Sequence, residues 1–198
     1  MNATLLQIAE NVKANLPPEG VTVEYTPGDG GEREAELYSF LTAAGVRVAL
    51  TKSLDGPRPS LKVAHVTFYG VPLGNEVYAL AELLVRAGRG LAGGTALSGK
   101  VKVSVFVTTD CPFCPLAVID AAEATAAAGA ACEVWVSDDF PEVADAYEVY
   151  TVPFTMILNS ENGEVYAAAP GYSPERYAAW LRKALAAVKR GAKPPPFP

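Results

Sequence analysis

The sequence predicts an α/β protein of two tandem, related units, each a central mixed sheet flanked by helices, with the first unit degenerate. Three observations carry this. The 198 residues are 50% hydrophobic and 19% charged, an ordinary globular composition with enough chain for two small domains. Short, alternating β-branched runs interleave with longer helix-patterned runs. The order of elements in residues 99–190 recurs, shortened, in residues 1–92.

Along the first unit, residues 2–15 read as a leading helix and 21–25 (Val-Thr-Val-Glu-Tyr) as a strand. The Pro-Gly-Asp-Gly-Gly run at 27–31 is a turn. Residues 32–44 form a helix closed by Gly45, and 46–50 the next strand. Residues 56–63 match 151–157 in position, 65–69 supply the hairpin partner, and a helix at 75–87 follows, with Asn75-Glu76 as its cap. A Gly/Ala linker covers 90–99. In the second unit, 101–107 (Val-Lys-Val-Ser-Val-Phe-Val) form a strand. Cys111-Pro112-Phe113-Cys114 follows the turn at 108–110, and an Ala-rich helix runs from about Pro115 to a glycine stop at Gly129. Residues 132–136 form a strand, and 141–150 a short helix capped by Asp138 or Asp139. Strands at 154–158 and 164–168 flank an Asn162-Gly163 turn. The last helix opens at Ser173-Pro174 and ends near Lys189. The short middle helix has no counterpart in the first unit. Residues 191–198 are a tail that reads as too proline-rich to pack.

Charge excludes several functions. Sixteen Lys+Arg against 22 Asp+Glu leave a net charge of −6, the wrong sign for gripping phosphates. No apolar run approaches the roughly 20 residues of a membrane span. The first ten residues lack the basic n-region of a signal peptide, so the expected location is cytoplasmic. No Lys or Arg lies between Lys102 and Arg176, while acids run from Asp110 through Glu175. This is either a plain solvated acidic face or a surface on which basic or neutral partners dock.

The chemistry lies in the three Cys, too few and too odd for a disulfide-stapled scaffold. Cys111-Pro-Phe-Cys114 follows a strand and opens a helix, where unpaired amides and the helix dipole favour an anion. The Cys111 thiolate is that anion, and its pKa is expected to fall moderately below about 8.5. No basic side chain lies nearby in sequence to help it, and Asp110 opposes it. A thiolate attacks a disulfide, and Cys114 resolves the mixed disulfide. Structural zinc would need four ligands, and only Cys132 and His65 remain, in different halves. An inert buried pair and a permanently closed disulfide are further alternatives. Val152-Pro153 precedes a strand, where a cis bond would turn the Val152 backbone toward an extended substrate; a trans edge-strand proline is the other reading. Cys132 reads as a small buried hydrophobe, His65 as a sheet residue, and Trp135 and Trp180 as core aromatics. Neither Gly70–Gly74 nor the glycines at 90–94 fit a nucleotide loop, so no cofactor is expected, and no metal.

These motifs together resemble the thioredoxin/glutaredoxin superfamily. Thr108-Thr109-Asp110-Cys111-Pro112-Phe113-Cys114-Pro115-Leu116-Ala117 resembles the C-terminal unit of the archaeal-type protein disulfide oxidoreductases. Pro57-Arg58-Pro59-Ser60 and Phe68-Tyr69-Gly70-Val71-Pro72-Leu73-Gly74-Asn75-Glu76 resemble the first unit of that family. The chain is also similar to the N-terminal domain of the flavoprotein subunit of alkyl hydroperoxide reductase. The resemblance implies two thioredoxin-like units, Cys111 as nucleophile, Cys114 as resolving thiol and Pro153 as the cis-proline. It implies that substrate contacts involve Pro112, Phe113, Thr151, Val152 and Pro153. The implied activity is thiol–disulfide exchange on protein disulfides, with a thioredoxin-reductase-like flavoenzyme upstream. An electron relay to a peroxiredoxin and a non-catalytic partner-binding module are the alternatives. The first unit has Gly and Asp where that family usually carries a second Cys pair. The buried acid that thioredoxins keep under the Cys pair has no counterpart among Val103, Val105 and Val107, which leaves Glu123 and Glu133 as candidate proton acceptors for Cys114.

Overall fold

A computed structural model of the chain describes residues 1–52, 56–92 and 99–198. The elements run α1 (Ala3–Asn15), β1 (Thr22–Thr26), α2 (Glu32–Ala43), β2 (Arg47–Leu50), β3 (Ser60–Val63), β4 (Val66–Tyr69) and α3 (Glu76–Gly88). They continue with β5 (Val101–Val107), α4 (Cys114–Ala128), β6 (Ala131–Val136), α5 (Pro141–Ala146), β7 (Phe154–Asn159), β8 (Val165–Pro170) and α6 (Tyr177–Lys189). The eight strands form one continuous sheet in the order β2-β1-β3-β4-β6-β5-β7-β8.

Pairing follows one pattern in both halves. β1 is parallel to β2 and antiparallel to β3, which is antiparallel to β4. β5 stands in the same relations to β6, β7 and β8. The halves join where β4 pairs parallel to β6. The likeness extends to single bonds: Gly70 donates its N–H to Pro59 O at 2.9 Å and Gly171 to Pro153 O at 2.8 Å, and both prolines follow cis peptide bonds. Among the described residues no helix lies between β2 and β3.

β5 is buried along nearly its whole length, which is why its sequence is almost continuously apolar. Val101, Val103, Val105 and Val107 point into the larger core, which α1, α2, α3, α4 and α6 help to build, and Phe106 points into a smaller one beneath α5. The parallel arrangement brings the C-terminal ends of β4, β5 and β6 to one end of the sheet. The helices α3 and α4 begin there, and they pack on one another.

Several local expectations change. α1 is capped as expected, Asn2 Oδ1 accepting from Leu5 N–H at 2.9 Å. Asn75 sits at the N-cap of α3 but its side chain makes no capping bond. Asp138 and Asp139 do not cap α5, whose N-cap is Phe140 and which stops at Ala146; both carboxylates are drawn to other backbone amides described below. α6 starts at Tyr177 rather than at Pro174, because Ser173 O accepts from Arg176 and Tyr177 N–H in a preceding turn. Of the expected linker, residues 93–98 lie outside the described residues.

The proline-rich tail packs, contrary to expectation. Trp180 Nε1–H donates to Pro195 O at 3.0 Å. The Phe197 ring meets Trp180 edge-on at a centroid distance of 5.2 Å and Tyr177 at 6.3 Å. A polyproline segment has little backbone freedom to lose, so one aromatic anchor suffices to hold it. Phe197→Ala is expected to cost about 1–2 kcal/mol of stability, measured by chemical denaturation, with a red shift of the Trp180 fluorescence.

Candidate active site

Cys111 and Cys114 stand at the C-terminal end of β5, where the loop at 108–113 turns into α4. They are closed as a disulfide with Cα atoms 5.5 Å apart. Cys111 N–H donates to Thr108 O at 3.2 Å, which folds the loop back so that Cys111 sits over the first turn of α4. No side chain caps that turn, and Pro115 occupies its start. A helix start left without a side-chain cap favours an anion, which is what a Cys thiolate at this position would be. Both residues are buried, Cys111 with 8% of its surface left to solvent and Cys114 with none.

The remaining expected residues gather at the same end. Pro112 and Phe113 are exposed, Phe113 at 55%. β7 runs antiparallel to β5 with Phe154 opposite Phe106, so Thr151, Val152 and Pro153 lie beside the end of β5 that leads to the Cys loop. The Val152–Pro153 bond is cis. Thr151 is exposed, Val152 half-buried and Pro153 buried. The Arg58–Pro59 bond is cis as well. The sequence reading expects no cis bond at Pro59; the match of residues 56–63 with 151–157 is the signal that could have found it.

At the corresponding place in the first half, the turn after β1 also gathers an anion, but from its own helix. Glu34 Oε2 accepts from Gly28 N–H at 2.9 Å and from the Tyr25 hydroxyl at 2.5 Å, and Oε1 accepts from Gly30 N–H at 2.9 Å. Burial opposes ionisation of Glu34, yet these bonds, with Gly31, hold its carboxyl below the usual range. Burial, followed by the Glu34 hydrogen bond and charge, pushes the Tyr25 phenol up. A carboxylate thus fills this cradle in a half that carries no Cys pair.

Neither candidate acceptor reaches Cys114. Glu133 faces the other side of the sheet, where it takes a hydrogen bond from Ser104 Oγ at 3.0 Å and pairs with Lys102 at 3.1 Å. Glu123 is nine residues along α4, about 13 Å of helix rise, and is paired with Arg86. The buried carboxylate at the Cys end comes from the other half. Glu76, the first residue of α3, is fully buried, and among the described residues neither of its oxygens has a hydrogen-bond partner. Desolvation pushes its pKa up to about 8. Its chain is stitched to the Cys loop: Asn75 N–H donates to Thr109 O at 2.7 Å, and a Cβ at Gly74 (φ +65°) would lie 2.3 Å from that oxygen. Only glycine fits there. The sequence pattern presents Glu76 as a capping residue; the fold buries it completely.

Cys132 is buried and outside any disulfide, and burial pushes its thiol up to about 12 against a hydrogen bond with Thr125, as fits an inert hydrophobe. His65 Nε2 lies 3.0 Å from both Ala122 O and Thr125 Oγ1, and burial lowers its pKa. Among the described residues no three His, Cys, Asp or Glu side chains form a metal cluster, and no helix is long and apolar enough to cross a membrane.

Known structures share this architecture. A protein disulfide oxidoreductase from Aeropyrum pernix superposes with a TM-score of 0.69 at 20% identity, over 97% of this chain and 94% of that one. The N-terminal domain of alkylhydroperoxide reductase AhpF from Enterococcus faecalis gives 0.66 at 20% identity, over 96% and 99%. The fold is thioredoxin-like. Sso1120 from Sulfolobus solfataricus gives 0.55 at 22% identity, over 85% and 98%. No family model and no curated protein sequence matches the chain.

Proposed function

We propose that the chain is a single-site thiol–disulfide oxidoreductase acting on protein disulfides. The observation that carries this reading is the closed Cys pair at the start of α4, in which Cys111 keeps a small part of its surface exposed and Cys114 none. In the reduced state the Cys111 thiolate, favoured by the amides of α4, attacks one sulfur of a substrate disulfide. The other substrate sulfur leaves as a thiolate. Cys114 passes its proton to Glu76 and attacks Cys111 Sγ, which expels the second substrate sulfur as a thiolate and closes the Cys111–Cys114 disulfide. Two electrons pass from protein to substrate, and the closed pair is the form described above. Glu76 suits its part because a carboxyl with a pKa of about 8 is matched to a thiol donor. Thr151, Val152 and Pro153 would receive the substrate as an extended segment, with Pro112 and Phe113 forming the opposite lip.

A thioredoxin-reductase-like flavoenzyme is the proposed electron donor. A peroxiredoxin as the disulfide substrate is the second reading, favoured by the end-to-end superposition on the AhpF N-terminal domain. Both readings are tested by reacting the reduced Cys114→Ser chain with a bridged peptide disulfide. A mixed disulfide on Cys111, seen as a mass adduct that dithiothreitol removes, is the expected result. No adduct, with Cys111 shown to be free and reduced, overturns both.

A further inference from the structure

The end of the sheet that carries the Cys pair has a pronounced charge asymmetry. In the second half, five carboxylates stand exposed around it: Asp110 in the Cys loop, Asp138 after β6, Glu142 and Asp145 on α5, and Glu148 just beyond. Two are fixed to the loop itself, since Asp110 accepts from Thr108 Oγ1 at 2.8 Å and Asp138 from Thr109 N–H at 2.7 Å. No Lys or Arg occurs between Lys102 and Arg176 in the sequence, and the exposed Arg58 ahead of β3 is a cation that the first half brings to this end. Arg33, which approaches from α2, is already held by Asp139 and by Val71 O. Among the described residues none of the five is in an ion pair. Large apolar side chains stand exposed along the same rim: Phe113, Leu116, Tyr147 and, at 85%, Tyr150, immediately before Thr151-Val152-Pro153.

From this we infer, resting on the exchange reading above, that the site selects disulfides set in basic segments, with Lys or Arg flanking the bridged cysteines and an apolar residue nearby. A surplus of unpaired carboxylates around a reacting centre raises the local concentration of cationic partners and speeds their encounter. The exposed aromatics add a sequence-tolerant apolar grip, and Tyr rings accept a cation over their faces. The same field turns away other occupants. A second copy of this chain brings the same acidic rim and a net charge of −6. Nucleic acids and anionic lipid surfaces carry the repelled sign as well.

The test uses the prereduced full-length chain and three short peptides with the same intramolecular disulfide, flanked by Lys, by Glu or by Ser. The rate constant for the Lys peptide is expected to exceed that for the Glu peptide by about 10- to 100-fold at low salt, narrowing towards unity near 0.5 M salt as the field is screened. The triple variant Glu142→Gln, Asp145→Asn, Glu148→Gln is expected to remove most of this preference. Glu10→Gln, Glu161→Gln, Glu164→Gln, an equal change of net charge away from the Cys end, is expected to keep it. Equal rates for Lys and Glu peptides in the parent chain, or a preference unchanged in the first triple variant, overturn the inference while exchange itself stands. Failure to reduce any of the three peptides overturns the exchange reading, and this inference with it.

Discussion

Cys111→Ser will bring reduction of a peptide disulfide down to the uncatalysed rate, a loss on the order of 10³-fold or more. A serine hydroxyl ionises far above neutral pH, so the α4 amides that favour a thiolate find almost no alkoxide to stabilise. Cys114→Ser behaves differently. With a small part of Cys111 left to solvent and none of Cys114, the first attack survives and only resolution fails, so turnover stops at a persistent mixed disulfide. The measurement is turnover with excess dithiol, together with mass analysis of the stalled species. Equal turnover by the parent and Cys111→Ser chains would remove the enzymatic reading and leave a partner-binding module, for which the Cys pair is incidental. Stability does not confuse the comparison if both serine variants are set against the reduced parent, since all three lack the closed disulfide.

Much of this site was legible in the sequence because its signals are local. A strand, a Cys-Pro-Phe-Cys segment and a helix follow one another within residues 101–128, and the turn chemistry that orders them lies in the same window. The apolar run of β5 and the glycine stop at Gly129 have the same local origin; Gly129 adopts a φ of +72°, as the stop requires. What escaped is what depends on contacts far apart along the chain. Asp138 and Asp139 read as helix caps, yet they accept from the amides of Thr109 and Val71, 29 and 68 residues away. The tail reads as unable to pack because composition does not reveal that Tyr177 and Trp180 leave a place for Phe197. Glu76 is the clearest case. A charged residue beside a helix start is ordinarily a solvated cap, and nothing in residues 70–80 shows that Glu76 will be fully buried.

That burial makes Glu76→Gln the second large effect. In the folded chain the carboxyl is pushed from 4.5 up to about 8 by desolvation. Below pH 4.5 it is protonated whether the chain is folded or not, and folding carries no charge penalty. As pH rises towards 8 the unfolded chain releases this proton while the folded chain keeps it. The folded state is then progressively disfavoured, until its own carboxyl ionises and the loss levels off. The full loss between about pH 4.5 and pH 8 is on the order of 5 kcal/mol. Glutamine has no proton to hold, so the stability of the parent relative to Glu76→Gln should fall by that order across the window, measured by denaturant titration at several pH values. The same substitution separates a proton acceptor from a mere buried defect. If Glu76 takes the Cys114 proton, the variant resolves its mixed disulfide about 10²-fold more slowly and loses the inflection near pH 8 in that step, while the first attack by Cys111 keeps its rate. A carboxyl without this role would show the stability difference alone, with resolution rate and pH profile unchanged.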